Sequence, residues 1–328
     1  AFSRFNEARK CSRLRPYSGG ARMARIPVGA TIAHAYRFAF GRFADVLRSV
    51  WIALALQLTL SLFAIRSVIT VMGGVIARDP SVVSHLWPFL VLYPLILILF
   101  LAQVAAVTDL ALGRGPEGWF HMRIGKPVWR LVGAFVLAAV AVAVAFIALL
   151  LALMLAGFLI RLAGLPRIAT GLIGAALFVI GYCGLIFVSF RLFFLLVPTV
   201  MTQQRLSLAP AWRLTKGNFW RIVVVVLAIL LPVVAIEYAI MFGVGGLPPS
   251  LPHANSPEAA AAFERVRLAW QIDFLSLLLR NWFLTLPALG LIHIVFLGVG
   301  CSASVFAWRA LTDGETQPDP QAQQAIPG

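Results

Sequence analysis

Six apolar runs, near residues 49–70, 87–107, 131–157, 172–192, 222–243 and 283–306, leave this chain few ways to fold. Each matches the roughly 20 helical residues needed to cross a hydrocarbon core of about 30 Å. Within that core no water pairs with backbone amides and carbonyls, so each run is predicted to be an α-helix that satisfies its own backbone. Hydrophobic residues make up 61% of the 328 residues and charged residues 12%, with a mean hydropathy of +0.93. A soluble domain is typically about half apolar and about a quarter charged, so a water-soluble fold is excluded. The expected architecture is all-α: a polytopic membrane helical bundle of about six transmembrane helices over residues 29–312. A disordered basic tail is expected at 1–28 and a second disordered tail at 313–328.

The formal charge of +15 would point to nucleic acid in a soluble protein. Here no nucleic-acid recognition motif accompanies it, and its distribution has a membrane explanation. Of the 27 Lys and Arg residues, twenty fall in the N-terminal segment, the 108–130 loop, the 191–221 segment and the C-terminal tail; the alternate gaps hold seven. The positive-inside rule then places both termini in the cytoplasm of a bacterial inner membrane, with an even number of crossings. Residues 1–25 carry seven Arg and Lys without an apolar centre, unlike a secretory signal peptide, and residues 1–22 read as a disordered extension or an early start. The three cysteines, Cys11, Cys183 and Cys301, lack Cys-x-x-Cys spacing and give neither a disulfide framework nor a zinc site.

Two segments outside the runs have helical character. Over 31–50, His34, Arg37, Arg42, Asp45 and Arg48 share one arc of a helical wheel. Tyr36, Ala39, Phe40, Phe43, Val46, Leu47 and Val50 occupy the other, with Phe38 on the wrong side. This pattern predicts an interfacial amphipathic helix on the cytoplasmic side, apolar face in lipid. The alternative is an extension of the first span with a bend at Gly41. Over 257–275, Ser256 is a plausible N-cap, Pro257 suits the first helical position, Glu258 suits the first turn, and Phe263, Val266 and Trp270 form a stripe. This helix is expected across the outer mouth of the bundle, after a Gly- and Pro-rich loop at 243–257.

The segment Ala35-Tyr36-Arg37-Phe38-Ala39-Phe40-Gly41-Arg42-Phe43 matches Ala211-Trp212-Arg213-Leu214-Thr215-Lys216-Gly217-Asn218-Phe219 at an offset of 176, and Trp129-Arg130 echoes Trp220-Arg221. Either helical hairpins are duplicated, or a basic–aromatic anchor recurs wherever a span starts at the head-group level. The stretch from Ser207 to Ile222, preceded by the span end from Arg191 to Pro198, resembles the membrane domains attached to some bacterial glycerophosphodiester phosphodiesterases and related stand-alone multi-span proteins. The resemblance covers about 30 residues and implies a membrane topology. The family's catalytic domain uses an early His-Arg pair, and this chain contains no His-Arg dipeptide.

No residue spacing here is that of a catalytic or metal site, and no cofactor is expected. Gly113 to Gly118 and Gly125-Lys126-Pro127 lack the ending of a phosphate loop and read as turns. His34, His85, His121 and His253 read as surface residues. The polar groups within the runs are Gln57, Tyr182, Cys183 and His293 at middle depth and Glu237 farther out, five residues beyond Pro232. They are either the lining of a small polar cavity or hydrogen-bonding glue between helices. Glu237 is either functional or paired with Arg161, Arg265 or Arg280. Gly298 with Ser302, and Gly300 with Ser304, mark close packing of the last span. The expected role is that of a non-enzymatic accessory, scaffold or lipid-associated protein. Its basic–aromatic belt of Arg37, Arg42, Arg48, Arg130, Arg213, Lys216 and Arg221 would contact anionic lipid phosphates. A membrane-protein partner or a homo-oligomer is compatible with this role. The competing reading is a transporter or channel for a lipid-like or small hydrophobic solute; an intramembrane hydrolase lacks paired acid and base groups.

Overall fold

The computed structural model describes residues 25–77, 79–114, 125–162, 167–246 and 256–316, and among them there is no strand. Ten α-helices follow in order among the described residues: α1 (Val28–Gly41), α2 (Phe43–Ala77), α3 (Trp87–Ala111), α4 (Lys126–Leu162), α5 (Arg167–Phe193), α6 (Leu196–Gln203), α7 (Ala209–Leu214), α8 (Phe219–Gly245), α9 (Pro257–Arg280) and α10 (Trp282–Thr316). Six helical segments are long and apolar enough to cross a membrane: α2, α3, α4, α5 with α6, α8 and α10. Each contains one of the six predicted runs and overshoots it by up to about three turns, because a helix continues into the interface after its apolar stretch ends. The chain is an all-α, multi-pass membrane protein, and six crossings put both ends of the described chain on the same side.

That shared end is where the bundle is most tightly packed. Val46, Val50, Leu101, Leu131, Leu196 and Leu297 are almost fully buried in one cluster; Ile26, Leu195, Ala211, Ile222 and Leu311 form another beside it. The hairpin of α4 and α5 is the opposite case. Val144, Leu151, Leu155, Phe178 and Ile180 all lie exposed, so these helices are apolar all round and use lipid as their packing partner. Helix α6 was not foreseen in the sequence. It is short, buried from Leu196 to Met201, and wedged among α3, α4 and α10.

The region 31–50 combines the two readings, a separate helix followed by a first span that begins after a bend at Gly41. It is broken at Gly41–Arg42: residues from Phe43 onward begin the first span, while 28–41 form a separate helix. Within α1 the residues Thr31, Ala35, Phe38 and Ala39 share a face that is buried by protein rather than lipid. Phe38, out of place on a wheel drawn through 31–50, lies on that face because the break resets the helical phase. Phe40 points outward at 63% exposure and retains the lipid-facing character expected of it.

Three contacts lock α1 onto the bundle. A Cβ placed on Gly298 of α10 would stand 3.1 Å from Ala39 Cβ and 3.3 Å from Ala39 Cα, so the two helices meet backbone to backbone. Ser302, one turn on, donates to Gly298 O at 2.7 Å and approaches Ala35 O at 3.4 Å. This bears out the first small-residue pair; at Gly300 an added Cβ would meet nothing within 4 Å, so that position does not mark a close approach. The third contact involves Pro232 of α8, whose ring nitrogen cannot donate to the carbonyl four residues earlier. Tyr36 of α1 supplies the missing donor, its hydroxyl reaching Ala228 O at 2.9 Å.

The repeat noticed in the sequence has a structural counterpart. Ala35 and Ala211 are both fully buried, each in a short helix, and Phe43 and Phe219 each open the following span. Between them the second copy turns through Gly217 at φ +79°, a conformation open to glycine at little cost. Asn218 then reaches back: its Oδ1 accepts from Ile26 N at 3.1 Å, and Arg221 donates to Ile26 O at 3.2 Å. Ile26 is therefore held at 1% exposure, and residues 25–28, assigned to the tail from sequence, belong to the described structure. At the other terminus α10 continues to Thr316, past the expected boundary at 313.

On the far side α9 begins where expected, with Ser256 Oγ accepting from Ala259 N at 3.1 Å, and continues to Arg280. It packs chiefly on α2 and touches α8 and α10. The expected loop at 243–257 is shortened by α8, which runs to Gly245; residues 247–255, with His253, lie outside the described residues, as do residues 1–22 and 115–124 with His121.

Replacing Gly298 by Leu should force α1 off α10 and destabilise the fold by roughly 1–3 kcal/mol. Gly300→Ala should be neutral within about 0.5 kcal/mol. Unfolding by SDS titration in detergent micelles, followed by circular dichroism, distinguishes the two.

Candidate functional site

A polar chain crosses the middle of the bundle. Gln103 Nε2 donates to Gln57 Oε1 at 2.6 Å, and His293 Nε2 lies 3.0 Å from Gln103 Oε1, which links α2, α3 and α10. Gln103 has no exposed surface and is the hub. It stands eight residues from the C-terminal end of α3, and His293 eleven residues into α10, depths of about 12 and 16 Å at the helical rise. Phe100 sets its ring edge against His293 with centroids 5.9 Å apart. A carboxamide flanked by two partners loses most of the cost of leaving water, which explains how a glutamine is tolerated there.

Beside this chain lies a partly open cleft of about 300 Å³, at the lower end of the roughly 300–1,000 Å³ usual for ligand sites. Leu54, Gln57 and Leu58 of α2 form one wall and Leu230, Val233, Val234 and Glu237 of α8 the other; Phe100 belongs to α3, and Leu289, Ile292, His293 and Phe296 to α10. Pro232 lies within this stretch of α8, between Leu230 and Val233. Among the described residues no ion pair involves Glu237, so the expected pairing with Arg265 or Arg280 does not form.

Of the sequence candidates, Gln57, Glu237 and His293 come together at the cleft, and Tyr182 and Cys183 do not. Tyr182 is 53% exposed and stacks on Phe178 along the outer face of α5, and Cys183 is exposed beside it. Gln103 escaped the sequence reading although it had a signal: it is a lone carboxamide in an otherwise almost wholly apolar run. Among the described residues there is no group of three or more His, Cys, Asp or Glu that could hold a metal ion.

The seven belt cations lie at the end that carries the termini, where topology puts the starts of α1, α2, α4 and α8. Arg37, Arg48, Arg213 and Lys216 are exposed. Arg42 pairs with Asp45 at 3.1 Å and rests over Phe38, and Arg130 makes a long contact of 3.5 Å with Gln204. Arg221 is partly consumed in holding Ile26. An eighth cation, Arg191, has a structural task at the same end. It stacks on Trp212 at 3.9 Å and donates to Trp212 O at 2.9 Å and Thr215 Oγ1 at 3.1 Å, clamping α7 to α5. His34 also faces this end, stacked on Phe306 at 4.7 Å. Burial first, then the charges of Arg309 and Arg37, lower its pKa below 6.5, which favours the neutral ring.

No family model, no curated protein and no solved structure matches this chain.

The polar chain can be tested by a double-mutant cycle on Gln57→Leu and Gln103→Leu. A coupling of about 0.6 kcal/mol, and no more than roughly 1.7, is expected from the mean for polar contacts between transmembrane helices. Tyr182→Leu, read in the same SDS unfolding assay, should show no coupling to either.

Proposed function

We propose that this chain is a non-enzymatic, lipid-associated accessory protein of a bacterial inner membrane, with both termini cytoplasmic. The observation that carries the reading is the asymmetry of its two ends. The end with the termini is closed by α1, α6 and α7 and bears Arg37, Arg48, Arg213 and Lys216 as exposed cations. A Lys or Arg near an anionic leaflet contributes about 1 kcal/mol each, so four together would hold phosphate head groups firmly. The same residues satisfy the positive-inside rule, which supports the orientation. The resemblance of Ser207–Ile222 to phosphodiesterase-linked membrane domains supports a place among such proteins. Its buried members, Thr215 and Asn218, act in this chain as structural ties for α7 and for the start of α1.

The transporter reading draws on one feature, the cleft with Gln57, His293 and Glu237. Closure of the shared end by α6, buried from Leu196 to Met201, counts against a path through the bundle in this conformation.

Charge reversal at Arg37, Arg48, Arg213 and Lys216 together, each to Glu, should strip most of the anionic phospholipid that co-purifies, read by lipid mass spectrometry. Reversing Arg265 and Arg267 on the opposite side should leave it unchanged. Equal anionic lipid in both variants and the parent would defeat the proposal.

A further inference from the structure

We infer that the cleft between α8 and the α2–α10 wall binds a neutral lipid with a hydroxyl head, such as a monoacylglycerol, diacylglycerol or long-chain alcohol. The inference deepens the lipid-associated reading and names a ligand for a site separate from the cationic belt.

The hydrogen-bond chain has a direction. A carboxamide oxygen only accepts, so His293 Nε2 donates to Gln103 Oε1, and in a neutral ring Nδ1 keeps its lone pair. Gln103 then spends its amide on Gln57 Oε1, which leaves the Gln57 amide without a partner among the described residues. Both open groups belong to residues that line the cleft, as does the Glu237 carboxylate. The cleft therefore offers a donor at Gln57 and acceptors at His293 and Glu237. A hydroxyl group, which donates and accepts at once, fits that set.

Charge narrows the choice. Among the described residues the lining contains no lysine or arginine and holds one carboxylate, so a phosphate or carboxylate head would enter without a counter-ion and against Glu237. A purely hydrocarbon occupant would leave the Gln57 amide unpaired at membrane depth, a cost a hydroxyl removes. The remaining lining is aliphatic and aromatic, suited to the first part of an acyl or alkyl chain. About 300 Å³ is too small for a whole lipid, so the rest of the chain would extend through the open side into the bilayer.

The site can be read with diazirine-tagged probes on the full chain in nanodiscs, with crosslinked peptides mapped by mass spectrometry. The probes share one tagged chain and carry a monoacylglycerol head, its fully methylated ether, or a phosphatidic acid head. The expected result is saturable labelling of peptides from α2, α8 and α10 by the monoacylglycerol probe, displaced by untagged monoacylglycerol. Val233→Trp, which fills the cleft from α8, should reduce it at least tenfold; Leu151→Trp on the lipid-exposed face of α4 should not. Gln57→Leu should weaken the hydroxyl probe several-fold to roughly tenfold, the weight of about one hydrogen bond, and leave the ether probe unchanged. If Gln57→Leu fails to fold, the Val233→Trp comparison decides. Unchanged labelling in Val233→Trp, or equal labelling of these segments by the phosphatidic acid probe, would overturn the assignment. Neither result bears on the cationic belt, whose test reads retained anionic lipid at other residues.

Discussion

Hydrocarbon offers no hydrogen-bond partner, and most of this structure follows from that constraint. The six long helices close their own backbone bonds, and at one interruption, in α8, a neighbour repairs the gap. Pro232 leaves Ala228 O without its usual donor, and Tyr36 provides one. The same rule governs side chains. Gln57, Gln103 and His293 lie at depths where water is absent and bond to one another across three helices, with both ends of the Gln103 carboxamide paired. Because apolar side chains gain nothing by leaving lipid for one another, close association falls to small residues and polar ties. That accounts for Gly298 against Ala39 and for the contrast between the dense shared end and the lipid-facing α4–α5 hairpin.

The arrangement separates two chemistries. At the end with the termini, short helices seal the bundle and cations serve structure and surface: Arg191 and Arg221 tie segments together, and Arg37, Arg48, Arg213 and Lys216 are exposed. Around the cleft there is one carboxylate, toward the outer end of α8, and no cation. An anionic head group would find cations at the first place and none at the second. The proposed lipid contacts are therefore different in kind, phosphate at the surface and neutral hydroxyl within.

The spans were legible because twenty apolar residues in a row admit one solution in a membrane. So was α9, where Ser256, Pro257 and Glu258 coincide at its start. What the sequence concealed depends on rotation and on breaks. A helix apolar on all sides gives no signal of which face meets protein, and so Tyr182 and Cys183 turned out to face away from the core. The wheel through 31–50 assumed one continuous helix; with the break at Gly41–Arg42, Ala39, expected in lipid, packs with Ala35 against α8 and α10, and Phe38, expected on the wrong side, joins the main core cluster. Helix α6 carries Pro198 and follows directly on α5, so its burial could be found only from what packs around it.

The central claim is that hydrocarbon surrounds most of these side chains and that six crossings return the chain to the side on which it began. Its most direct measurement is thiol labelling in intact and permeabilised cells, in a chain whose Cys11, Cys183 and Cys301 are replaced by Ala. A cysteine introduced by Ser84→Cys, between α2 and α3, should react with a membrane-impermeant maleimide in intact cells, and one introduced by Lys216→Cys only after permeabilisation. Labelling of both from the same side would contradict the account.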